Sequence, residues 1–90
     1  MEDEEEGIND YVTSFKKVWH DRNGFPHRIN GPAVVYSDGE MRWFRHGLRH
    51  RDDGPAQVWA EHGIEMWYKD DKLYEPSAHE IMVWKMKKEG

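Results

Sequence analysis

Apolar and polar residues alternate over short stretches bounded by Gly, Pro and Asp, the pattern of strands joined in hairpins. Residues 32–36 read as a strand opened by Gly31-Pro32, since proline is tolerated at a strand start but not inside a central ladder. Asp38-Gly39 predicts a type I′ hairpin turn, which needs positive φ at both central positions. Residues 40–46 are the predicted return strand, with Arg42 and Phe44 on one face and Met41 and Trp43 on the other. A longer loop is predicted at 47–54, after which the pattern restarts with a strand at 56–60, a turn at 61–63 and a strand at 64–69. Upstream, Tyr11, Phe15, Val18 and Trp19 fit a helical stripe, whereas Thr13, Phe15, Lys17 and Trp19 alternate as in a strand. The strand reading is favoured for 15–20, which precedes Gly24 as 40–45 precedes Gly47.

The restart is an internal repeat. Gly24-Phe25-Pro26-His27-Arg28-Ile29-Asn30-Gly31-Pro32-Ala33 returns 23 residues later as Gly47-Leu48-Arg49-His50-Arg51-Asp52-Asp53-Gly54-Pro55-Ala56. Each copy is followed by an apolar-aromatic pair, a turn ending in Gly and an aromatic pair: Val35-Tyr36, Asp38-Gly39 and Trp43-Phe44, then Val58-Trp59, His62-Gly63 and Trp67-Tyr68. Such a period means stacked supersecondary units, placed here at about 24–46 and 47–70. No third His-Arg follows, because Tyr74-Glu75 stand in its place and the array is closing.

The predicted closure is a helix over 76–90. Ser77-Ala78-His79-Glu80 is a capping box, Pro76 stands just outside, and Lys85, Lys87 and Lys88 suit the C-terminal end of the dipole. Ile81 and Trp84, with Met82 or Met86, are expected to lie over the open sheet and cover its last strand or one face. The expected architecture is mostly β: a single-layer antiparallel meander of hairpin repeats over 11–75, with a C-terminal capping helix packed on it. Residues 1–10 read as an acidic disordered tail, since five like charges at 2–6 repel and Gly7, Asn9 and Asp10 discourage a regular element.

Composition changes this picture little. Ninety residues make one small domain near the lower limit for an independent core, and with no cysteine it must be held by packing of its 5 Trp, 4 Tyr and 3 Phe. The net charge of −5 comes from the five acids at 2–6, and without them the body carries 13 charges of each sign. A neutral body argues against nucleic acid, which needs a basic footprint. No apolar stretch approaches a membrane span of roughly 20 residues and no export signal is visible, so no membrane association and a cytoplasmic location are expected.

The repeated His27-Arg28 and His50-Arg51 are the first candidates for chemistry. Equivalent side chains two strands apart stand about 10 Å from each other, whereas two ligands of one zinc each lie roughly 2 Å from the ion. No metal or other cofactor is therefore expected. The structural alternative is that each Arg holds carbonyls of its loop and each His packs on a neighbouring aromatic, with Gly31-Pro32 and Gly54-Pro55 shaping the loop. No nucleophile-base set, carboxylate pair or phosphate loop can be assembled, so no enzyme is expected. The aromatic pairs put one ring on each sheet face. An open aromatic face plus the helix is the expected partner-binding surface, with Arg42, Trp43, Trp67, Trp84 and Met86 as anchors, residue types favoured at hot spots.

The unit W-(F/Y)-x-x-G-x-x-H-R-x-x-G-P-A-x-x-(Y/W)-x-x-G over about 18–74 resembles the His-Arg-x-x-Gly-Pro-Ala repeats of tailed bacteriophages and large DNA viruses, which look like distant variants of the MORN repeat. The resemblance implies successive β-hairpins and no enzymatic activity. With only two full copies, it implies a compact accessory product. The expected function is then a non-enzymatic protein-binding module, phage-encoded, that modulates or inhibits a bacterial host enzyme or defence system in the host cytoplasm. Self-association as a homo-oligomeric structural protein is the alternative, followed by single-stranded nucleic-acid binding through the aromatics.

Overall fold

The computed structural model describes residues 6–89. The fold is mostly β, an antiparallel hairpin meander with one α-helix at the C-terminal end of the described residues. Three wide hairpins build a six-stranded sheet in the order β1-β2-β3-β4-β7-β8. They are β1 (Ile8–Val12) with β2 (Lys16–His20), β3 (Val34–Tyr36) with β4 (Met41–Arg42), and β7 (Gln57–Trp59) with β8 (Ile64–Met66). Two narrow hairpins form separate two-stranded ribbons, β5 (Phe44–Arg45) with β6 (Leu48–Arg49) and β9 (Tyr68–Lys69) with β10 (Lys72–Leu73). The turn at 21–25 is their counterpart in the first unit, closed by an isolated bridge between His20 and Pro26.

Each predicted return strand is therefore two strands, broken at Trp43 and at Trp67. Hydrogen bonds link the two rows at these tryptophans. Trp19 and Trp43 donate their backbone N–H to Ala33 and Ala56 of the next wide hairpin at 2.8 and 2.7 Å. Their carbonyls accept from His27 and His50 of the narrow row, as that of Trp67 accepts from Tyr74. At Trp43 and Trp67 the chain leaves the six-stranded sheet and enters a two-stranded ribbon. The predicted loop at 47–54 is shortened for the same reason, since its first residues complete a narrow hairpin.

Two turns differ from expectation. Asp38-Gly39 is not type I′, because only Gly39 has positive φ, at 95°. Gly39 donates to the carbonyl of Tyr36, and Asp38 Oδ1 accepts the N–H of Glu40, giving a type I turn completed by a left-handed glycine. The I′ geometry falls instead at His46-Gly47 and Asp70-Asp71, with φ of 48°, 87°, 50° and 68°. At the N-terminal end, β1 reaches back to Ile8, so the predicted boundary at 10 moves. Asn9 Nδ2 donates to the carbonyl of Val18, and the irregular register lies between Asn9 and Tyr11. The rest of the acidic run, at 2–5, lies outside the described residues.

The helix α1 (Ala78–Glu89) opens on the predicted capping box: Ser77 N–H to Glu80 Oε1 at 2.8 Å and Glu80 N–H to Ser77 Oγ at 3.1 Å. It does not lie over the last strand. Trp84 is its buried anchor, edge-on to Trp67 with ring centroids 6.1 Å apart, while Met82 and Met86 face solvent. Trp84 also fixes Gly54, where an added Cβ would stand 2.8 Å from the indole Cδ1. The core is thin: Val18, Ala33, Val34, Ala56 and Val58 from the sheet, then Tyr68, Trp67 and Trp84. Removing so large a part of it should be costly. Trp84→Ala is expected to lower stability by about 3–5 kcal/mol in urea unfolding. A loss under about 1 kcal/mol would show that the helix is not part of the core.

Candidate interface between repeat units

The Arg of each repeat lies flat on the Trp that precedes it. The Arg28 guanidinium stands 3.9 Å from the centroid of Trp19, and that of Arg51 stands 4.0 Å from Trp43. Each Nη1 donates to a proline carbonyl four residues on, Arg28 to Pro32 at 3.3 Å and Arg51 to Pro55 at 3.1 Å. Carbonyl holding is thus as expected, with a cation–π stack added. Gly31 and Gly54 lie against these guanidiniums, where a Cβ would stand 3.0 and 2.8 Å from Cζ.

The histidines act differently from expectation. His27, fully enclosed, accepts the backbone N–H of His46 at Nδ1 (2.9 Å), and the two rings stack at 3.9 Å. His50 Nδ1 accepts the N–H of Asp70 at 3.1 Å, and its Nε2 lies 2.8 Å from Asp52. His46 and Asp70 are the first residues of the two I′ turns, so each repeat's His holds the turn of the next unit. The residue 19 or 20 positions beyond each repeat His begins a left-handed turn.

His46 in turn contacts Asp21 at 2.6 Å through Nδ1. The Asp21 side chain is buried, and its Oδ1 also accepts the N–H groups of Asn23 and Phe25, both at 2.9 Å. Burial alone would raise its pKa, but these hydrogen bonds and the His46 interaction outweigh it and hold the carboxyl below its ordinary value.

Between the first and second units these elements leave a groove of about 540 Å³. It is lined by Arg28, Asn30 and Gly31 on one wall, Trp43 and Arg45 on the floor, and His50–Asp53 on the other. Its cations are each met by a carboxylate: Arg28 by Glu6 at 3.7 Å, Arg45 by Asp52 at 3.5 Å and Arg51 by Asp53 at 3.1 Å. Burial lowers the Arg51 pKa against the opposing effect of Asp53.

Of the expected anchors, Trp43 alone lies in this groove, half-buried. Trp67 and Trp84 are only 7% and 6% exposed and are committed to each other, which removes them from the surface. Arg42 points to the other face, where its Nε donates to Glu40 at 2.9 Å and its guanidinium lies 5.2 Å from the Tyr36 ring. Met86, 64% exposed, stands apart on the helix. The five therefore do not form one patch. Arg45, Asn30 and His50, which line the groove beside Trp43, were not singled out as anchors.

Among the described residues no helix is long and apolar enough to cross a membrane, and no group of three His, Asp or Glu side chains is placed to hold a metal ion. Comparison with protein-family models, curated proteins and solved structures finds no match to this chain.

Asp21 gives a pH test. A carboxyl depressed in the folded state stabilises in full above its unfolded value near 3.8, and that contribution is lost as the pH falls through the folded value. Asp21→Ala should cost about 1–3 kcal/mol at pH 7, since it strands two turn N–H groups. The gap between variant and parent in urea unfolding should narrow at pH 3. A gap independent of pH would mean that the Asp21 charge does not contribute.

Proposed function

We propose that this chain is a non-enzymatic protein-binding module that receives a helix of its partner in the groove floored by Trp43. One observation carries the reading: α1 already occupies the equivalent groove one unit further along. Trp84 of the helix lies on Trp67 and against Gly54, Glu80 reaches Lys69 Nζ at 3.5 Å, and Lys87 reaches Asp53 at 3.4 Å. The repeat carries Trp67 back to Trp43, Gly54 to Gly31, Lys69 to Arg45 and Asp53 to Asn30, and all four of those residues line the open groove. Trp43 is left half-buried where Trp67 is buried because no helix covers it.

The partner chemistry follows from the same contacts. An aromatic anchor would sit on Trp43, and a carboxylate one helical turn before it would reach Arg45, as Glu80 precedes Trp84. The paired carboxylates leave no uncompensated basic track, which disfavours the nucleic-acid reading. The resemblance to viral repeats supports a bacterial host enzyme or defence protein as the partner, and a phage-encoded modulator or inhibitor as the role of this chain.

The test begins with the protein captured stoichiometrically from bacterial lysate at high salt, its affinity then measured by calorimetry. Trp43→Ala, with folding retained, should weaken binding by more than about 1 kcal/mol. Met86→Ala should leave it unchanged. Unchanged affinity on losing Trp43 would assign that residue to structure alone and overturn the reading.

A further inference from the structure

The six-stranded sheet stops at β8, and the way it stops defines a second binding surface. At the two junctions inside the chain, the return strand of one unit receives the first strand of the next. β2 takes β3 with Lys17 opposite Val35 and Val18 opposite Val34. β4 takes β7 with Met41 opposite Val58 and Arg42 opposite Gln57. Each junction is completed by a tryptophan N–H donated to the alanine of Gly-Pro-Ala, Trp19 to Ala33 and Trp43 to Ala56. β8 with Trp67 is the third member of this series, but the sequence turns into Pro76-Ser77 and the helix instead of supplying a third Gly-Pro-Ala.

The place left for that strand is open. A groove of about 530 Å³ runs between Glu65, Met66 and Trp67 on one side and Leu73, Tyr74, Glu75 and Pro76 on the other. One unit earlier the corresponding walls are Met41–Trp43 and Arg49–Asp52. Pro55, Ala56 and Gln57 lie between them, bonded to Arg51 Nη1, to the Trp43 N–H and opposite Arg42. No residue of α1 lines this groove, and the helix meets Gly54, Asp53, Lys69 and the Trp67 ring. Leu73, on the groove wall, is 61% exposed.

We infer that the β8 edge is a strand-addition site for an extended segment of another protein with the pattern Gly-Pro-Ala-x-Val-aromatic. The two segments that fill the internal junctions, Gly-Pro-Ala-Val-Val-Tyr and Gly-Pro-Ala-Gln-Val-Trp, define that pattern. Main-chain hydrogen bonds supply affinity in this mode and alternate side chains supply selectivity. The small alanine is required where the Trp67 N–H points, and the valine falls opposite Glu65, as Val58 falls opposite Met41. The outer edge of β1 in a second copy is the other strand that could reach the site, but it carries no Pro-Ala and its register is irregular between Asn9 and Tyr11.

The probe is the synthetic peptide Gly-Pro-Ala-Gln-Val-Trp-Ala, titrated into the isotope-labelled 90-residue chain and followed by the backbone amide resonances. Saturable shifts are expected at Glu65–Trp67 and Leu73–Glu75. A peptide N-methylated at its valine, which cannot complete the ladder, should bind at least tenfold more weakly. No shifts are expected at Asn30, Gly31 or Arg45 of the helix groove, so this site and that groove stand or fall separately. Absence of saturable shifts at Trp67, or equal binding of the N-methylated peptide, would overturn the inference. Shifts at the same amides that appear with rising protein concentration alone, accompanied by a rise in mass, would overturn the assigned occupant in favour of a second copy.

Discussion

Trp19, Trp43 and Trp67 are the pivots on which the two rows of hairpins turn. Each has a carbonyl facing the narrow row, and the first two have an N–H facing the next wide hairpin. The indole must then be fixed, because a rotating ring would leave the crossing point without side-chain support. A guanidinium lying at about van der Waals distance over the ring does this for Trp19 and Trp43, and its free Nη1 ties the proline carbonyl of the same loop. One Arg thus joins ring, loop and following strand, which lysine could not do without the planar fork. The Gly of Gly-Pro-Ala belongs to this arrangement, since a methyl group there would press on the guanidinium carbon.

At the third pivot the cation is absent and Glu75 stands in its place, so the ring is supported by other aromatics. Tyr74 lies edge-on at 6.2 Å and Trp84 edge-on at 6.1 Å. The helix therefore ends the array by replacing the missing cation at the pivot, not by shielding the last strand. That distinction matters for the exposed edge of the sheet. An open strand edge invites pairing, and this chain leaves one open beside a shaped groove. β8 is only three residues long, which limits indiscriminate pairing, while the groove wall at 73–76 restricts what else can enter.

Much of this was legible in the chain. The Gly-Pro-Ala echo located the wide hairpins, and Ser77 with Glu80 located the helix start, because those features are local and their hydrogen bonds follow from spacing. The breaks at Trp43 and Trp67 were not legible as breaks. The run Met41–Arg45 reads as one continuous strand, and only the pairing of its two halves in different sheets reveals the change of partner. The same limit explains the anchors. Burial of Trp67 and exposure of Trp43 differ although the two occupy equivalent places, and the difference is set by a helix whose docking position no periodicity specifies. The I′ turn was assigned to Asp38-Gly39 on dipeptide preference, whereas His46-Gly47 and Asp70-Asp71 adopt it because histidines one unit earlier hold their first N–H.

Those histidines also bear on how so small a domain coheres. Its buried apolar set is short, and it has neither disulfide nor thiolate metal site to brace it. Each inter-unit link made by His27 or His50 contributes only about 1 kcal/mol net. A unit therefore cannot detach without breaking hydrogen bonds to its neighbour. The Asp21–His46–His27 chain ties the first turn to the second, and Arg49–Asp71 at 2.6 Å ties the second to the third. The stability of a repeat protein is approximately a sum of unit and neighbour terms. Here the neighbour terms include directional bonds that run from each narrow hairpin into the next.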